Sequence, residues 1–379
     1  MNSSPAENHM RRALELAERG RGHVSPNPMV GCVIVHDLGP DATGRVLAEG
    51  WHEQYGGPHA EVNAIRAVAP ADEALLPQST AYVTLEPCSH WGKTPPCAKL
   101  LIERQIGRVV CCNDDPNPLV SGRGFQMLRE AGIQVETGVL APEGRLLNAR
   151  FFTFMEQKRP YIILKWAETA NGFISGPAGA PMAITGPEAN ALVHRWRAEE
   201  PAILVGSGTA RHDNPRLNVR LYHDAKRLVR QPLRIVLDRM LTLPRHLHLF
   251  DGSQPTLVYH TNTMPSPPDG TNLTFAPLPE ESTENTACSS GLSIQAMLHD
   301  LHGRSIQSVL VEGGNRVHSS FLNQGLWDEI RQFKSTQLVN TGTTAPLLPN
   351  HIQSDYSTNW VGNDQLYYYL SRLHDNRPV

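Results

Sequence analysis

The stretch AYVTLEPCSHWGKTPPCAKLLIERQI, residues 81–106, decides the fold around it. Its β-branched and aromatic residues predict a buried strand over 81–87, and its apolar spacing predicts a helix over 97–106. Cys88 and Cys97 each follow a proline, one at the end of the strand and one at the start of the helix. They are therefore either two thiols buried in a turn or two ligands of a metal ion whose third ligand lies elsewhere in the chain.

The best candidate for a third ligand precedes this stretch, in GPHAEVNA at 57–64. A neutral imidazole from His59 and two thiolates form the donor set of a catalytic zinc site, which keeps one position open for water. His-x-Glu followed by Pro-Cys and a second Cys is the signature of zinc nucleobase deaminases. We predict that His59, Cys88 and Cys97 bind Zn²⁺. We predict that Glu61 takes a proton from the activated water and delivers it to the leaving amine.

The spacer between the two cysteines is longer than in that signature, which has two residues there. Here it is SHWGKTPP, residues 89–96, and it carries His90, Lys93 and Thr94. A cationic and hydroxyl-bearing rim suits a substrate phosphate, so we predict that His90 and Lys93 bind the substrate. The alternative for the cysteine pair is a closed structural zinc site, which needs a fourth protein ligand and has no use for Glu61.

Composition indicates a soluble two-domain enzyme. The chain has 379 residues, 40% hydrophobic and 19% charged, and a net charge of −3 gives no general basic field for nucleic acid. Six cysteines are too few for a disulfide framework, and no apolar run reaches the roughly 18–20 residues of a membrane span. We predict a cytoplasmic protein with no nucleic-acid or membrane partner. Cys111 and Cys112, in a predicted buried strand, are expected to belong to the core.

Strand and helix patterns alternate along the first part of the chain and start again after a break near 145–158. In the first part the alternation predicts a largely parallel sheet covered by helices. The predicted helices there are 8–20, 59–69, 97–106 and 122–132, and the predicted strands are 29–35, 81–87, 107–115 and 133–140. In the second part we predict strands at 159–169, 202–210, 233–239 and 256–260, helices at 186–200 and 293–303, a strand, glycine turn and helix over 308–329, and a long surface loop over 261–291.

Two glycine turns in the second part are candidate phosphate-binding elements. VGSGT at 205–209 and VEGGN at 311–315 each join a strand to a helix, where backbone N–H groups and the helix dipole favour an anion. Structural turns of this type are common, so the turns alone leave the question open. Arg197, Arg216 and Arg220 are either bidentate ligands of a substrate phosphate or solvated surface charges.

Several motifs together resemble one family, the bifunctional riboflavin-biosynthesis deaminase/reductases. The deaminase half is similar in SPNPMVGCVIV (25–35), PHAEVNAI (58–65), AYVTLEPCSHWGKTPPC (81–97) and DPNPLVSGRGFQMLREAGI (115–133). The reductase half is similar in LKWAETANG (164–172), ILVGSGTARHDNPRLNVR (203–220) and VLVEGG (309–314). The resemblance implies an α/β protein with an N-terminal cytidine-deaminase-like three-layer domain, placed at 1–146, and a C-terminal dihydrofolate-reductase-like domain, placed at 159–379.

The resemblance implies two consecutive reactions. The first is the zinc-dependent removal of the 2-amino group of a diaminohydroxyphosphoribosylaminopyrimidine, with release of ammonia. The second is the NADPH-dependent reduction of the ribosyl group to ribityl. The ligand of both sites would be a small phosphoribosyl pyrimidine, and the resemblance also implies a homo-oligomer formed through the reductase domain.

The resemblance further implies which residues bind these ligands. In the deaminase half, Asn27 contacts the pyrimidine. In the reductase half, the substrate positions are Lys165, Arg197, Leu217, Arg220 and Glu312. The NADPH positions are Glu168, Ala183, Thr209, Asp213, Gly314 and Asn315.

Three departures from the family pattern fall in the reductase half. Asn171 stands where aspartate is common, Ala183 where an aromatic residue is common, and HDNP at 212–215 in place of ADDP. Because a lost carboxylate would change the charge near the sugar or cofactor, one alternative is a reductase domain of altered or lost activity. A second is a nucleic-acid base deaminase, which requires a basic, aromatic-lined groove that 6% aromatic content disfavours. A third is a structural zinc protein that binds partners.

Overall fold

The computed structural model describes residues 4–37, 44–91, 95–118, 120–225, 228–280, 291–349, 352 and 356–371. The chain divides into two compact units, Met1–Gln157 and Lys158–Val379. Within the described ranges, every helix is too short or too polar to span a bilayer.

The first unit contains a five-stranded sheet. Its strands are β1 (Gly31–His36), β2 (Arg45–Trp51), β3 (Ser79–Leu85), β4 (Arg108–Asn113) and β5 (Gln134–Thr137), in the spatial order β2-β1-β3-β4-β5. Strands β3, β4 and β5 are parallel, whereas β1 is antiparallel to both β2 and β3. The prediction of a largely parallel sheet is therefore right for β3 to β5 and wrong for the β1–β2 hairpin, whose second strand the sequence analysis missed.

Helices cover both faces of this sheet. They are α1 (Pro5–Glu18), α2 (Ala60–Ala67), α3 (Cys97–Glu103), α4 (Arg123–Glu130), α5 (Ala141–Leu147) and α6 (Ala149–Gln157). Because side chains alternate along a strand, Val33 and Val35 of β1 pack with Met10 of α1, while Cys32 and Ile34 pack on the opposite face with α2 and α3. The predicted three-layer architecture is confirmed.

The side chain of Asn148, between α5 and α6, forms hydrogen bonds with the backbone that leads into β1. The Asn148 amide accepts a hydrogen bond from Met29 N at 2.8 Å and donates one to Met29 O at 2.8 Å, and the Asn148 residue is 3% exposed. It therefore takes the place of a neighbouring strand for the residue that leads into β1. Both helices belong to the first unit, although the sequence analysis left residues 147–158 between the two domains.

The second unit contains a nine-stranded sheet and a short two-stranded one. Its strands are β6 (Tyr161–Glu168), β7 (Phe173–Ser175), β8 (Ala202–Gly206), β9 (Leu233–Leu237), β10 (Thr256–Thr261), β11 (Leu273–Leu278), β12 (Ser308–Val311), β13 (Glu329–Lys334), β14 (Thr343–Thr344), β15 (Ser357–Val361) and β16 (Asp364–Leu370). The order is β11-β10-β9-β8-β12-β6-β13-β16-β15, and β7 pairs with β14. The first seven are parallel, and β16 and β15 form an antiparallel hairpin at one edge.

The helices of the second unit are α7 (Pro187–Glu199), α8 (Ser207–Asp213), α9 (Ile294–Gly303) and α10 (Asn315–Gln324). Residues 273–278 form β11, so the loop predicted over 261–291 is wrong there; residues 281–290 lie outside the described part. From β8 the chain continues to β9 on one side, and from β12 it continues to β13 on the other. The sheet therefore has a topological switch point between β8 and β12, where open α/β sheets bind ligands at the carboxyl ends of their strands.

Candidate active sites

The three predicted zinc ligands lie together at the carboxyl end of β3 and the starts of α2 and α3. His59 is the N-cap residue of α2, and its Nδ1 atom lies 3.6 Å from Cys88 Sγ and 3.3 Å from Cys97 Sγ. The ligand atoms of all three residues lie within 4.8 Å of one another. Cys97 is the first residue of α3, and its N–H donates to Cys88 Sγ at 3.3 Å. Hydrogen bonds from Cys97 and His59 lower the pKa of the Cys88 thiol, which favours the thiolate form that a zinc ion needs.

The spacing of these atoms fits zinc. Zinc bonds of about 2.0 Å to nitrogen and 2.3 Å to sulfur, at a tetrahedral angle, place the two donors about 3.5 Å apart. The observed separations of 3.6 and 3.3 Å are close to this value. One imidazole with two thiolates is also a donor set that selects zinc over harder cations. Among the described residues, this is the group of three that could hold a metal ion, and it offers no fourth protein ligand.

Glu61 lies beside this cluster in the first turn of α2. It is 3% exposed, and its burial raises its pKa to about 7. A carboxyl group with a pKa near neutrality is suited to accept and return a proton. The closed structural zinc site considered above gives no role to a buried carboxyl in this position.

Asn27, predicted to contact the pyrimidine, is held by a histidine that the sequence analysis missed. The His52 Nδ1–H donates to Pro58 O at 2.9 Å, so Nε2 accepts the hydrogen bond from Asn27 Nδ2 at 3.1 Å. Burial lowers the pKa of His52, which keeps the ring neutral for this arrangement. The His52 and His59 rings are 5.5 Å apart and edge-on, so Asn27 is tied to the metal cluster through one intervening ring. No sequence motif marked His52, because a lone histidine has many structural uses.

Another residue that was missed is Asp115, which follows β4 as Glu86 follows β3. It is 7% exposed, and burial, helped by nearby Glu86 and Cys88, raises its pKa to about 6. Strands β3 and β4 are parallel neighbours, so the residues that directly follow them lie side by side. This pairing is the signal that could have identified Asp115. On the rim, His90 is exposed, whereas Lys93 and Thr94 lie outside the described residues.

In the second unit, a cluster of cationic groups lies near the carboxyl ends of β6 and β12. Arg197 of α7 forms a bidentate ion pair with Glu312: Nε to Oε1 and Nη2 to Oε2 are both 2.7 Å. Lys165 and Arg220 are close enough for their charges to interact with this pair, and His194 lies beside it. Burial lowers the pKa of Lys165 and brings that of His194 to about 4.

The local charge of this cluster is positive, because one carboxylate faces several cationic groups. Arg220 donates through its backbone N–H to His194 Nδ1 at 3.2 Å and through Nη1 to Asn218 Oδ1 at 3.0 Å. Leu217 lies in the same loop with a left-handed φ of 50°, and its side chain is 1% exposed. A cationic recess of this kind suits a phosphate group. His194 is a further residue that the sequence analysis missed.

The two glycine turns meet at the switch point. A Cβ on Gly314, which has a φ of +66°, would lie 3.1 Å from Thr209 Oγ1 in the first turn of α8. Gly313 packs even closer, because a Cβ there would lie 2.5 Å from Val205 Cα. The turn after β12 therefore lies directly on the turn after β8, and both present the start of a helix to the same end of the sheet.

Comparison with known proteins identifies the family to which both halves of this chain are similar. A family model described as the cytidine and deoxycytidylate deaminase zinc-binding region matches residues 3–113, and the RibD C-terminal domain matches residues 160–339. The riboflavin biosynthesis protein RibD of Actinobacillus pleuropneumoniae is 40% identical over 332 residues, which cover 87% of this chain and 84% of that protein. The Escherichia coli RibD is 36% identical, covering 88% and 89%.

Solved structures show the same similarity. A diaminohydroxyphosphoribosylaminopyrimidine deaminase/5-amino-6-(5-phosphoribosylamino)uracil reductase from Thermotoga maritima is 36% identical, with a TM-score of 0.80 over 97% of this chain and 98% of that one. RibD of Acinetobacter baumannii is 32% identical, with a TM-score of 0.81 over the same shares.

The chain belongs to the RibD family. The predicted fold classes, cytidine-deaminase-like and dihydrofolate-reductase-like, are thereby confirmed.

Other positions that the RibD resemblance assigned to NADPH have protein partners in the structure. The Glu168 carboxylate accepts from Trp166 Nε1 at 3.0 Å and lies 3.9 Å from Lys334 Nζ. The Ala183 carbonyl accepts from Gln337 at 3.0 Å, and Asn315 Nδ2 donates to Thr344 O at 2.9 Å. Asp213 is the last residue of α8 and is exposed. Their assignment to the cofactor remains a prediction.

The departure from the RibD pattern at Asn171 has a structural explanation. Its Nδ2 donates to Val339 O at 2.7 Å, and its Oδ1 accepts from Val339 N at 3.2 Å and from the Thr169 hydroxyl at 2.9 Å. A carboxylate accepts but cannot donate, so aspartate would leave Val339 O without this partner. Asparagine therefore locks the β6–β7 turn to the segment after β13.

Replacing Gly313 with alanine is expected to destabilise the second unit and abolish reduction, because the new Cβ would lie 2.5 Å from Val205 Cα and 2.6 Å from Gly206 N. Overpacking of this kind typically costs about 1–3 kcal/mol, which lowers Tm by about 2–4 °C per kcal/mol in a unit of this size. Calorimetry and NADPH oxidation measure both effects. The control is Gly303→Ala at the end of α9, where a Cβ meets nothing within 4 Å. Equal Tm values for the two variants would contradict the prediction.

Proposed function

We propose that the chain is a bifunctional enzyme of riboflavin biosynthesis. It deaminates a diaminohydroxyphosphoribosylaminopyrimidine hydrolytically with Zn²⁺ and then reduces the ribosyl side chain to ribityl with NADPH. The observation that carries this proposal is the presence, in one chain, of a His59–Cys88–Cys97 cluster beside buried Glu61 and of a cationic recess around Arg197.

In the first reaction, His59, Cys88 and Cys97 would hold the Zn²⁺, which would serve as a Lewis acid for a water molecule at neutral pH. Asn27, oriented by His52, holds the edge of the pyrimidine ring. Glu61 accepts a proton from the attacking water and returns it to the departing amino group. The carbon–oxygen bond forms first, the carbon–nitrogen bond then breaks, and the products are the uracil and ammonia.

In the second reaction, NADPH bound in this unit would supply the hydride for the anomeric carbon of the sugar. The bond from that carbon to the ring oxygen breaks, and the ring oxygen takes a proton from water. No protein nucleophile is required, so the residues of this unit bind and orient the two reactants. Lys165, Arg197 and Arg220 bind the substrate by its phosphate and hydroxyl groups, and Glu312 holds Arg197 in place. The turns after β8 and β12 would hold the phosphates of the cofactor.

The test is to incubate the purified protein with the diaminopyrimidine ribotide, first alone and then with NADPH. Ammonia release in the first case and loss of NADPH absorbance in the second are the expected results. Ammonia without NADPH loss would support the deaminase and refute the reductase. Absence of both in protein that contains one zinc per chain would refute the proposal.

Replacing Arg220 with alanine is expected to raise the KM for the deaminated ribotide about tenfold to a hundredfold, with a smaller change in the KM for NADPH. The variant loses a charge-assisted hydrogen bond to the phosphate, worth about 1.5–3 kcal/mol. Steady-state kinetics of NADPH oxidation measure both KM values. The control is Arg304→Ala, which removes an exposed arginine paired with Asp300 at the end of α9. Parallel increases in both KM values would exclude a phosphate-binding role.

Self-association through the reductase half is part of the same proposal. Strand β15 forms one edge of the nine-stranded sheet, and Trp360 on it is 68% exposed. An edge strand with an exposed aromatic side chain is a surface on which a second copy can pair. Light scattering at micromolar concentration measures the mass, and a monomer would contradict this part of the proposal.

A further inference from the structure

Glu86 takes no part in either proposed reaction, yet its carboxylate is buried two residues before Cys88. The residue is 4% exposed and lies directly after β3. Burying a carboxylate is costly unless hydrogen bonds replace its water. The structure describes four such bonds, all donated by backbone N–H groups.

These bonds connect Glu86 to the next loop in the fold. Oε2 accepts from Asp115 N at 3.3 Å and from Gly122 N at 3.0 Å. Oε1 accepts from Gly124 N at 2.9 Å and from Phe125 N at 3.4 Å. Gly122 is the N-cap residue of α4, so three of the four donors belong to the start of this helix. Such N–H groups have no partner inside the helix, and the helix dipole also favours a carboxylate there. Glu86 is therefore the cap of α4, supplied by another element.

The ends of β3 and β4 and the start of α4 are packed closely around Glu86. β3 and β4 are in parallel register up to the Leu85–Asn113 pair, and Glu86 N donates to Asn113 O at 2.9 Å. A Cβ on Gly124 would lie 2.0 Å from Pro87 O, so the start of α4 touches the backbone next to Cys88. The segment that carries Cys88 and the loop that carries Asp115 leave the sheet side by side, with the Glu86 carboxylate between them.

We propose that Glu86 is a positioning residue of the deaminase site. It holds the β4–α4 loop, defined as residues 114–118 and 120–122, against the Cys88 segment, so that this wall of the site is formed before the substrate binds. The effect that we expect on KM rests on the proposed deaminase function. The effect that we expect on hydrogen exchange does not.

The first test is Glu86→Gln. A glutamine keeps the volume but replaces one acceptor oxygen with a donor, which then faces backbone N–H groups. We expect hydrogen exchange at Gly122, Gly124 and Phe125 to become at least about tenfold faster, while zinc stays at one per chain. We also expect the KM for the ribotide to rise about tenfold, with a smaller change in kcat, because the loop must be ordered by the substrate.

A second pair of variants keeps the inference testable if Glu86→Gln fails to fold. Gly122 has a φ of +77° and Gly132 a φ of +84°, at opposite ends of α4, and a Cβ on either meets nothing within 4 Å. Alanine imposes a similar backbone strain at both positions. We expect Gly122→Ala to raise the KM for the ribotide and Gly132→Ala to leave it unchanged.

Two results would overturn the inference. One is unchanged exchange at these amides in zinc-loaded Glu86→Gln. The other is an equal KM for Gly122→Ala and Gly132→Ala in protein that deaminates. If the wild-type protein releases no ammonia, the proposed function fails instead, and the exchange measurement still decides whether Glu86 holds the loop.

Discussion

Replacing Glu61 with glutamine is expected to lower the kcat for deamination by about 10²–10⁴-fold while one zinc per chain stays bound. Glutamine is close to isosteric, but it cannot take a proton from water and pass it to the leaving amine. Glu61 is not among the three residues whose donor atoms converge, so its loss leaves the metal cluster intact. Ammonia release and zinc analysis on the same preparation separate the two effects.

The control for this experiment is Glu73→Gln, which changes an exposed carboxylate paired with Arg104 at 3.8 Å in the same unit. We expect it to retain the full rate. NADPH oxidation with the deaminated substrate is expected to persist in both variants, because the reductase residues lie in the other unit. A Glu61→Gln protein that deaminates at the wild-type rate would show that another group transfers the proton.

Replacing Arg197 with alanine is expected to lower the free energy of unfolding of the second unit by about 3–5 kcal/mol, because it leaves the Glu312 charge buried without its partner. The side chains of Arg197 and Glu312 are 12% and 8% exposed. Burial alone would raise the pKa of Glu312, but Arg197 outweighs burial and holds it at about 2. Calorimetry measures the loss of stability, and NADPH oxidation is expected to disappear with it while deamination continues.

The lowered pKa of Glu312 determines how the stability difference between wild type and Arg197→Ala changes with pH. A carboxyl whose pKa is lowered by folding stabilises the protein above its unfolded pKa, near 4.5, and that stabilisation is lost as the pH falls toward 2. The difference in stability between wild type and Arg197→Ala is therefore largest at neutral pH and shrinks in acid. The control is Arg195→Ala on the same helix, because the Arg195 side chain is 57% exposed; its partner Glu199 is 15% exposed. A loss of similar size in both variants would contradict the prediction.

The sequence predicted that His59, Cys88 and Cys97 converge, because the signal for this cluster is local. His59, Cys88 and Cys97 each lie where a helix begins or a strand ends, and such junctions can be identified from short patterns of apolar residues. The order of His-x-Glu and Pro-Cys then fixes the chemistry with few alternatives. Glu61 followed from the same motif.

The elements that were missed lack such a signal. β2 is partly exposed and carries Arg45, Glu49 and Gly50, so its alternation is weak, and Gly50 is there because a Cβ would lie 2.3 Å from Ala64 N. His52 and Glu86 act through partners that are distant in the sequence. Their roles depend on which backbone groups the fold brings to them, and no local pattern records that.

The two hydrogen bonds between the Asn148 side chain and the backbone of Met29 determine where the first unit can be separated from the second. The match to the deaminase family model ends at residue 113, and a cut at 146 would still include every strand of the first sheet. Such a fragment would lose the amide that serves both backbone groups of Met29, each of which is worth about 1–3 kcal/mol when buried without a partner. An autonomous deaminase taken from this chain therefore ends no earlier than Asn148, and the compact first unit itself extends to Gln157.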